Sequence, residues 1–145
     1  MENIQTFQRD LKDNDYKYNI ITIKETTMAN DFKRFCVPNV ATSNTTLYGV
    51  PAGASSSALE TIVIGITMAN KSASGITASI FIDNEDGSND VFIVKDASIP
   101  AGASLEVMSG NKLVLQNDGT NADNLEGIAS AANSLDVTVS VLEDV

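Results

Sequence analysis

Between Leu59 and Asp83 the chain alternates apolar and polar residues twice, in LETIVIGITMAN and GITASIFID, and few architectures accept that pattern. Ile62, Ile64, Ile66 and Met68 share one parity, as do Ile76, Ala78, Ile80 and Ile82. Thr61, Thr67, Thr77 and Ser79 take the other. A period of two is the signature of half-buried β-strands. The intervening Asn70-Lys71-Ser72-Ala73-Ser74-Gly75 has the composition of a hairpin loop, so the two strands are expected to pair antiparallel at the centre of a sheet.

Strand signals recur on both sides at the spacing of a sandwich or small barrel. Phe32 to Val37 reads as a strand closed by Pro38, and Thr45 to Val50 as another, with Tyr48 and Val50 on the core parity. Val91-Phe92-Ile93-Val94 is apolar on both parities, which predicts a strand covered on both faces. Leu105 with Val107, Leu113 with Leu115, and Leu125 to Ala129 are shorter candidates. Leu135, Val137, Val139 and Val141 face one way in the last strand, and Asp136, Thr138 and Ser140 the other. Ala129 to Asn133 is the one stretch of this region with helical potential. Val50-Pro51-Ala52-Gly53-Ala54-Ser55 is echoed by Ile99-Pro100-Ala101-Gly102-Ala103-Ser104, which suggests a recurring turn type or an old duplication. The expected fold is all-β, an antiparallel β-sandwich of immunoglobulin-like or jelly-roll-like type over residues 28–145.

Residues 1–27 differ. Ile4, Phe7 and Leu11 have helical spacing, and Tyr16 to Ile20 alternates like a strand, both over short distances. Two readings stand side by side: a polar N-terminal arm, tethered loosely or ordered only on a partner, or an upstream extension with Met28 as the natural start.

The formal net charge of −10 over 145 residues opposes binding to phosphate backbones or anionic membranes, so neither nucleic acid nor membrane is an expected partner. No apolar run is long enough to span a bilayer, and no secretion signal is expected. The single cysteine, Cys36, excludes an intrachain disulfide, and between Phe35 and Val37 it reads as a small buried or half-buried filler. With no histidine, the commonest general base, the Ser-His and Cys-His pairings and most zinc and iron sites are gone. Glu60, Asp83, Glu85, Asp86, Asp90, Asp96 and Glu106 are the raw material for a carboxylate pair, but their loop or polar-parity positions make solvated charge the default. No catalytic, cofactor-binding or metal-binding residue is assigned, and no cofactor is expected. The acidic loop Asp83 to Asp90 offers oxygen ligands that suit calcium, yet lacks the helix-loop-helix pattern. A solvated turn with Asp86-Gly87 at its tip is the expectation, and Asn117 to Asn124 reads the same way. Among the few aromatics, Phe81 opposes the parity of Ile80 and Ile82, which places it on an outer face under a second sheet or a neighbouring subunit.

Several stretches together carry a resemblance: Met28-Ala29-Asn30-Asp31-Phe32-Lys33-Arg34-Phe35, Leu47-Tyr48-Gly49-Val50-Pro51-Ala52-Gly53, Ile62 to Asn70, Phe92 to Gly102, Ser130 to Ser134 and Val139 to Glu143. From Met28 to Val145 the chain resembles small virion structural proteins of tailed bacteriophages, particularly marine ones. The resemblance rests on strand-and-turn patterns. It implies a non-enzymatic β-sandwich that decorates or cements a capsid, with the major capsid protein or other virion proteins as partners and homo-oligomeric use. A neck or tail-attached part is the alternative within the virion. A carbohydrate- or receptor-binding module is the alternative from another class.

Overall fold

The computed structural model describes residues 30–84, 87 and 89–143. Residues 1–29, with both readings of the N-terminal segment, lie outside them, as do Glu85, Asp86, Ser88, Asp144 and Val145. The described chain forms nine strands: β1 (Asp31–Val37), β2 (Thr45–Gly49), β3 (Leu59–Asn70), β4 (Ile76–Asp83), β5 (Val91–Ile99), β6 (Ser104–Glu106), β7 (Leu113–Asn117), β8 (Asn124–Ala129) and β9 (Leu135–Glu143). They build two packed antiparallel sheets. Sheet A runs β1-β9-β3-β6, with β7 also on β3; sheet B runs β2-β8-β4-β5.

Strands β6 and β7 lie end to end along one side of β3, opposite Thr67–Ala69 and Leu59–Val63, and act as one interrupted strand. Counted so, the antiparallel pairs are nested: β4 with β5, β3 with β6 and β7, β2 with β8, and β1 with β9. The chain is therefore a long hairpin rolled onto itself, locked by β3 on β9 and β4 on β8. That strand order is a jelly roll, which decides between the two sandwich types left open by the sequence.

The expected central hairpin is not there. β3 and β4 are each interior strands, but of different sheets, and residues 71–75 carry the chain across the sandwich. Asn70 causes this. Its buried Nδ2 donates to the carbonyls of Ser74 (2.8 Å), Ile99 (3.0 Å) and Pro100 (3.0 Å), and its Oδ1 accepts from the Ser72 N–H (2.9 Å) and hydroxyl (2.8 Å). A side chain tied to the far end of β5 anchors a corner between sheets and leaves β3 free to pair elsewhere.

Parity along β3 also departs from expectation. Leu59, Thr61 and Val63 are buried and so are Ile66, Met68 and Asn70, while Ile62 and Ile64 face outward. The register against β9 slips between Val63 and Gly65, a β-bulge that inserts one residue and reverses the inward parity. Ile66 and Met68 are thus core residues, and Ile62 and Ile64 are not.

Between the sheets, Val63, Ile66, Met68, Ile80, Leu115, Leu125, Leu135, Val137, Val139 and Val141 form the centre of a single core. Each such side chain contributes on the order of 1.5–3 kcal/mol by leaving water. The last strand alternates as its sequence demands, with Leu135, Val137, Val139 and Val141 buried. Gly127 in β8 faces the same interior, where a Cβ would stand 3.1 Å from a Leu47 methyl.

Three further expectations change. β5 is the edge strand of sheet B, with Val91 and Phe92 exposed, because no strand of the described residues flanks it beyond β4. Cys36 is exposed, since Phe35 and Val37 are the β1 residues turned toward the core. The stretch after Ala129 makes a turn, with Asn133 at φ 55°, and no helix. The two Pro-Ala-Gly echoes also differ: Gly102 is left-handed at φ 65° and closes a turn through the Ala103 N–H, whereas Gly53 has φ −68° and leads into a short 3-10 turn at Ala54–Ser56.

Candidate functional site

The carboxylates that the sequence offered for acid-base chemistry are dispersed. Glu60 stands on the outer face of β3 near Gln116, Glu106 accepts a hydrogen bond from the Thr67 hydroxyl (2.8 Å), and Asp96 lies in β5. Asp83 and Asp90 do come together, but around a residue outside that set, Glu126 of β8. Burial first, then the charge of Asp83, pushes the Glu126 carboxyl above its usual range, while Asn44 and Thr46 side chains hydrogen-bond it. Only the cross-strand register, which a sequence does not display, reveals that cluster. Among the described residues no group of three His, Cys, Asp or Glu side chains is placed to hold a metal ion.

In the first acidic loop, Gly87 donates its N–H to the Asn84 carbonyl (2.9 Å) and has φ 69°. In the second, the Asp118 carboxylate accepts the N–H groups of Thr120 and Asn121 (both 2.6 Å), and these bonds hold it below the usual carboxylate range. Gly119 has φ 93°, and a Cβ there would fall 2.0 Å from the Ser56 carbonyl oxygen. The loop is thereby seated on the 3-10 turn, where only glycine fits.

An open cleft of about 230 Å³ on the outer face of sheet B is lined by Thr42, Thr77, Ser79, Asp96, Ile128 and Ser130. Ser79 Oγ accepts the Asp96 N–H (2.9 Å), and Asp96 takes the left-handed φ of 49° where the β4–β5 register slips. Hydroxyls and one carboxylate give this cleft a polar wall.

A buried polar knot joins four strands at one end of the interior. Tyr48 of β2 donates to Glu143 Oε1 (2.8 Å) and shares a hydrogen bond with the Thr61 hydroxyl of β3 (2.9 Å), while Lys33 of β1 pairs with Glu143 Oε2. Burial raises the Tyr48 phenol well above its ordinary value, and the hydrogen bond to Glu143 raises the Lys33 ammonium. Glu143 shares the inward parity of Val139 and Val141, so continuing that alternation by one step would have found it. Its role is to tie β9 to β1 and β2, since a buried carboxylate needs every one of these partners.

What distinguishes the surface is one row of side chains across each sheet. On the outer face of sheet A, Phe32 is opposite Leu142, Leu142 opposite Ile62, and Ile62 opposite Val114. Four apolar residues from β1, β9, β3 and β7 therefore stand in register over roughly 14 Å, at about 4.8 Å per strand. Phe32 is 75% exposed and Val114 51%, and the bulge adds Ile64 beside them at 38%. Arg34 and Lys112 lie one step along the strands on one side, and Glu60 and Gln116 on the other. The corresponding row of sheet B reads Thr46, Glu126, Phe81, Phe92. There Phe81 is buried under its tilted neighbour Phe92 (5.2 Å between centroids), and the Lys95 ammonium caps Phe92 at 4.9 Å. Phe81 is thus covered by its own sheet.

No protein-family model matches the chain, and no curated protein matches it.

Proposed function

We propose that the chain is a non-enzymatic structural protein of a tailed-bacteriophage virion, which decorates or cements the capsid through contacts with the major capsid protein and with its own copies. The observation that carries this reading is the nested jelly-roll strand order, an architecture used by viral capsid domains, in a chain whose motifs resemble small virion proteins. Two surface features support it. β1 is an edge strand whose outer ladder is unpaired among the described residues, and such a ladder can be completed by a neighbour. Residues 28–145 carry five Lys and Arg against fourteen Asp and Glu, which suits a particle surface kept soluble by like charge.

The experiment is mass analysis of purified virions, quantifying this chain against the major capsid protein. A copy number near that of the capsid subunit is the expected result. A handful of copies per particle would move the protein to the neck or tail, and absence from virions would overturn the reading. A carbohydrate-binding module is the second reading, favoured by the hydroxyl-lined cleft around Asp96. Glycan-array binding that is lost in Asp96→Ala would put that reading first.

A further inference from the structure

We propose that the apolar row of sheet A is a homodimer contact: two copies pack face to face about a two-fold axis that runs along Phe32, Leu142, Ile62 and Val114. The inference does not rest on the virion reading, and it follows from three properties of the face. Its apolar residues come from four strands in register, so they present one flat strip that the described fold leaves open. On sheet B the ring of Phe92 covers Phe81, whereas Phe32, Ile64 and Val114 of this strip stay exposed. Its rim is polar, with Arg34, Lys112, Glu60 and Gln116 along the two long sides.

Charge decides which occupant and which orientation. The sandwich is strongly acidic overall, yet this strip has Arg34 and Lys112 on one flank and Glu60 on the other. A two-fold along the row lays each flank over the opposite flank of the other copy. Lys112 then stands above Gln116 and within a strand spacing of Glu60, and Ile64 packs beside the Glu60 stem. A two-fold along the strands would instead lay Arg34 over Lys112, a like-charge contact that costs affinity. A second copy therefore brings the apolar strip and sets Lys112 of each copy one strand spacing from Glu60 of the other. Four strands by three rows of side chains is a small contact, at the low end of specific interfaces, so association is weak and rises with concentration. The ends of the row are self-facing, which gives a direct geometric signature: Val114 meets Val114, and Phe32 meets Phe32.

Sedimentation of the full-length chain over a concentration series tests this. The expected result is a monomer-dimer equilibrium whose dissociation constant rises by about tenfold or more in Val114→Glu and in Ile62→Glu, because each buries an unpaired charge. Urea midpoints of both variants should stay near that of the parent, since the side chains are outward. In a Cys36→Ser background, Val114→Cys should oxidise to a disulfide-linked dimer, and Glu106→Cys, two rows away, should not. A chain that stays monomeric at every concentration overturns the proposal, as does a dimer indifferent to both glutamates. So does a photo-cross-linker on Val114→Cys that captures residues 1–27 of the chain in place of the second copy's strip.

Discussion

The outer faces of the two sheets start from the same ingredients and end differently. Each has a row of four outward residues in register across four strands, and each row includes large apolar groups: Phe32, Leu142, Ile62 and Val114 on sheet A, Phe81 and Phe92 on sheet B. On sheet B the two aromatics are direct cross-strand neighbours, so one ring lies across the other and Phe81 is 1% exposed. On sheet A the row is aliphatic except at its end, and Phe32 and Val114 stay 75% and 51% exposed. An outward apolar residue is hidden by its own sheet only when the adjacent strand supplies a group long enough to cover it. Sheet B contributes its row to folding, and sheet A keeps its row for association.

The largest expected effect tests that division. Phe81→Ala should cost about 3 kcal/mol in urea unfolding, the loss typical of a buried aromatic, although Phe81 lies outside the main core. Val114→Ala should change stability by no more than about 0.5 kcal/mol. Equal losses at the two positions would sink the contrast. Next in size, a double-mutant cycle of Phe81→Leu and Phe92→Leu should give a coupling of about 1 kcal/mol, as expected for an aromatic pair beyond its area. Additive losses would show that Phe92 covers Phe81 without a specific ring contact.

A third test converts one face into the other. Glu126→Leu replaces the acidic member of the sheet B row and removes a carboxylate held beside Asp83 and Asp90. The variant should be modestly more stable at pH 7, by about 0.5 kcal/mol after solvent screening. It should also self-associate even when Val114→Glu has disabled the sheet A strip. If it remains monomeric, an apolar row in register is insufficient for pairing, and the flanking charges of sheet A are the deciding feature.

Much of this was legible beforehand, and the failures share a cause. The strands, their approximate ends and the sandwich class follow from period-two alternation, and the β9 core residues were correct to the side chain. Alternation reports parity within a strand, however, and says nothing of which strand lies next to it. β3 and β4 were therefore paired with each other, although Asn70 sends them to different sheets. A single inserted residue at Ile64 exchanged the inward and outward sets of half a strand, and nothing in an Ile-rich run marks where a bulge falls. Val91 to Val94 looked doubly covered because an edge aromatic that shields Phe81 has the composition of a buried one. No catalytic or metal residue was assigned, and the cluster that does form, Glu126 with Asp83 and Asp90, depends on register across three strands.

The smallest effects concern pH, where the two faces should move in opposite directions. Asp136, on the polar end of sheet A, is held below the ordinary carboxylate range by the Lys71 ammonium (2.7 Å) and then by the Asn39 N–H (2.9 Å). A carboxylate more acidic in the folded state contributes stability above its unfolded value near 3.8, and that contribution is lost as the pH falls through its lower folded value. Glu126 is the reverse case, less acidic when folded, so the stability linked to it is fully present below its unfolded value near 4.5 and declines as the pH rises through the folded one. Both groups are largely solvated, which limits each effect to well under about 1 kcal/mol and makes it smaller in high salt. Unfolding free energies measured from pH 3 to pH 7 should therefore show Asp136→Asn flattening the acid limb below pH 4. Glu126→Gln should instead raise the curve above pH 4.5. If Glu126→Gln lowers stability at neutral pH, the Asn44 and Thr46 hydrogen bonds to its carboxylate outweigh its burial and the repulsion from Asp83. The sheet B face would then be held together by that acid.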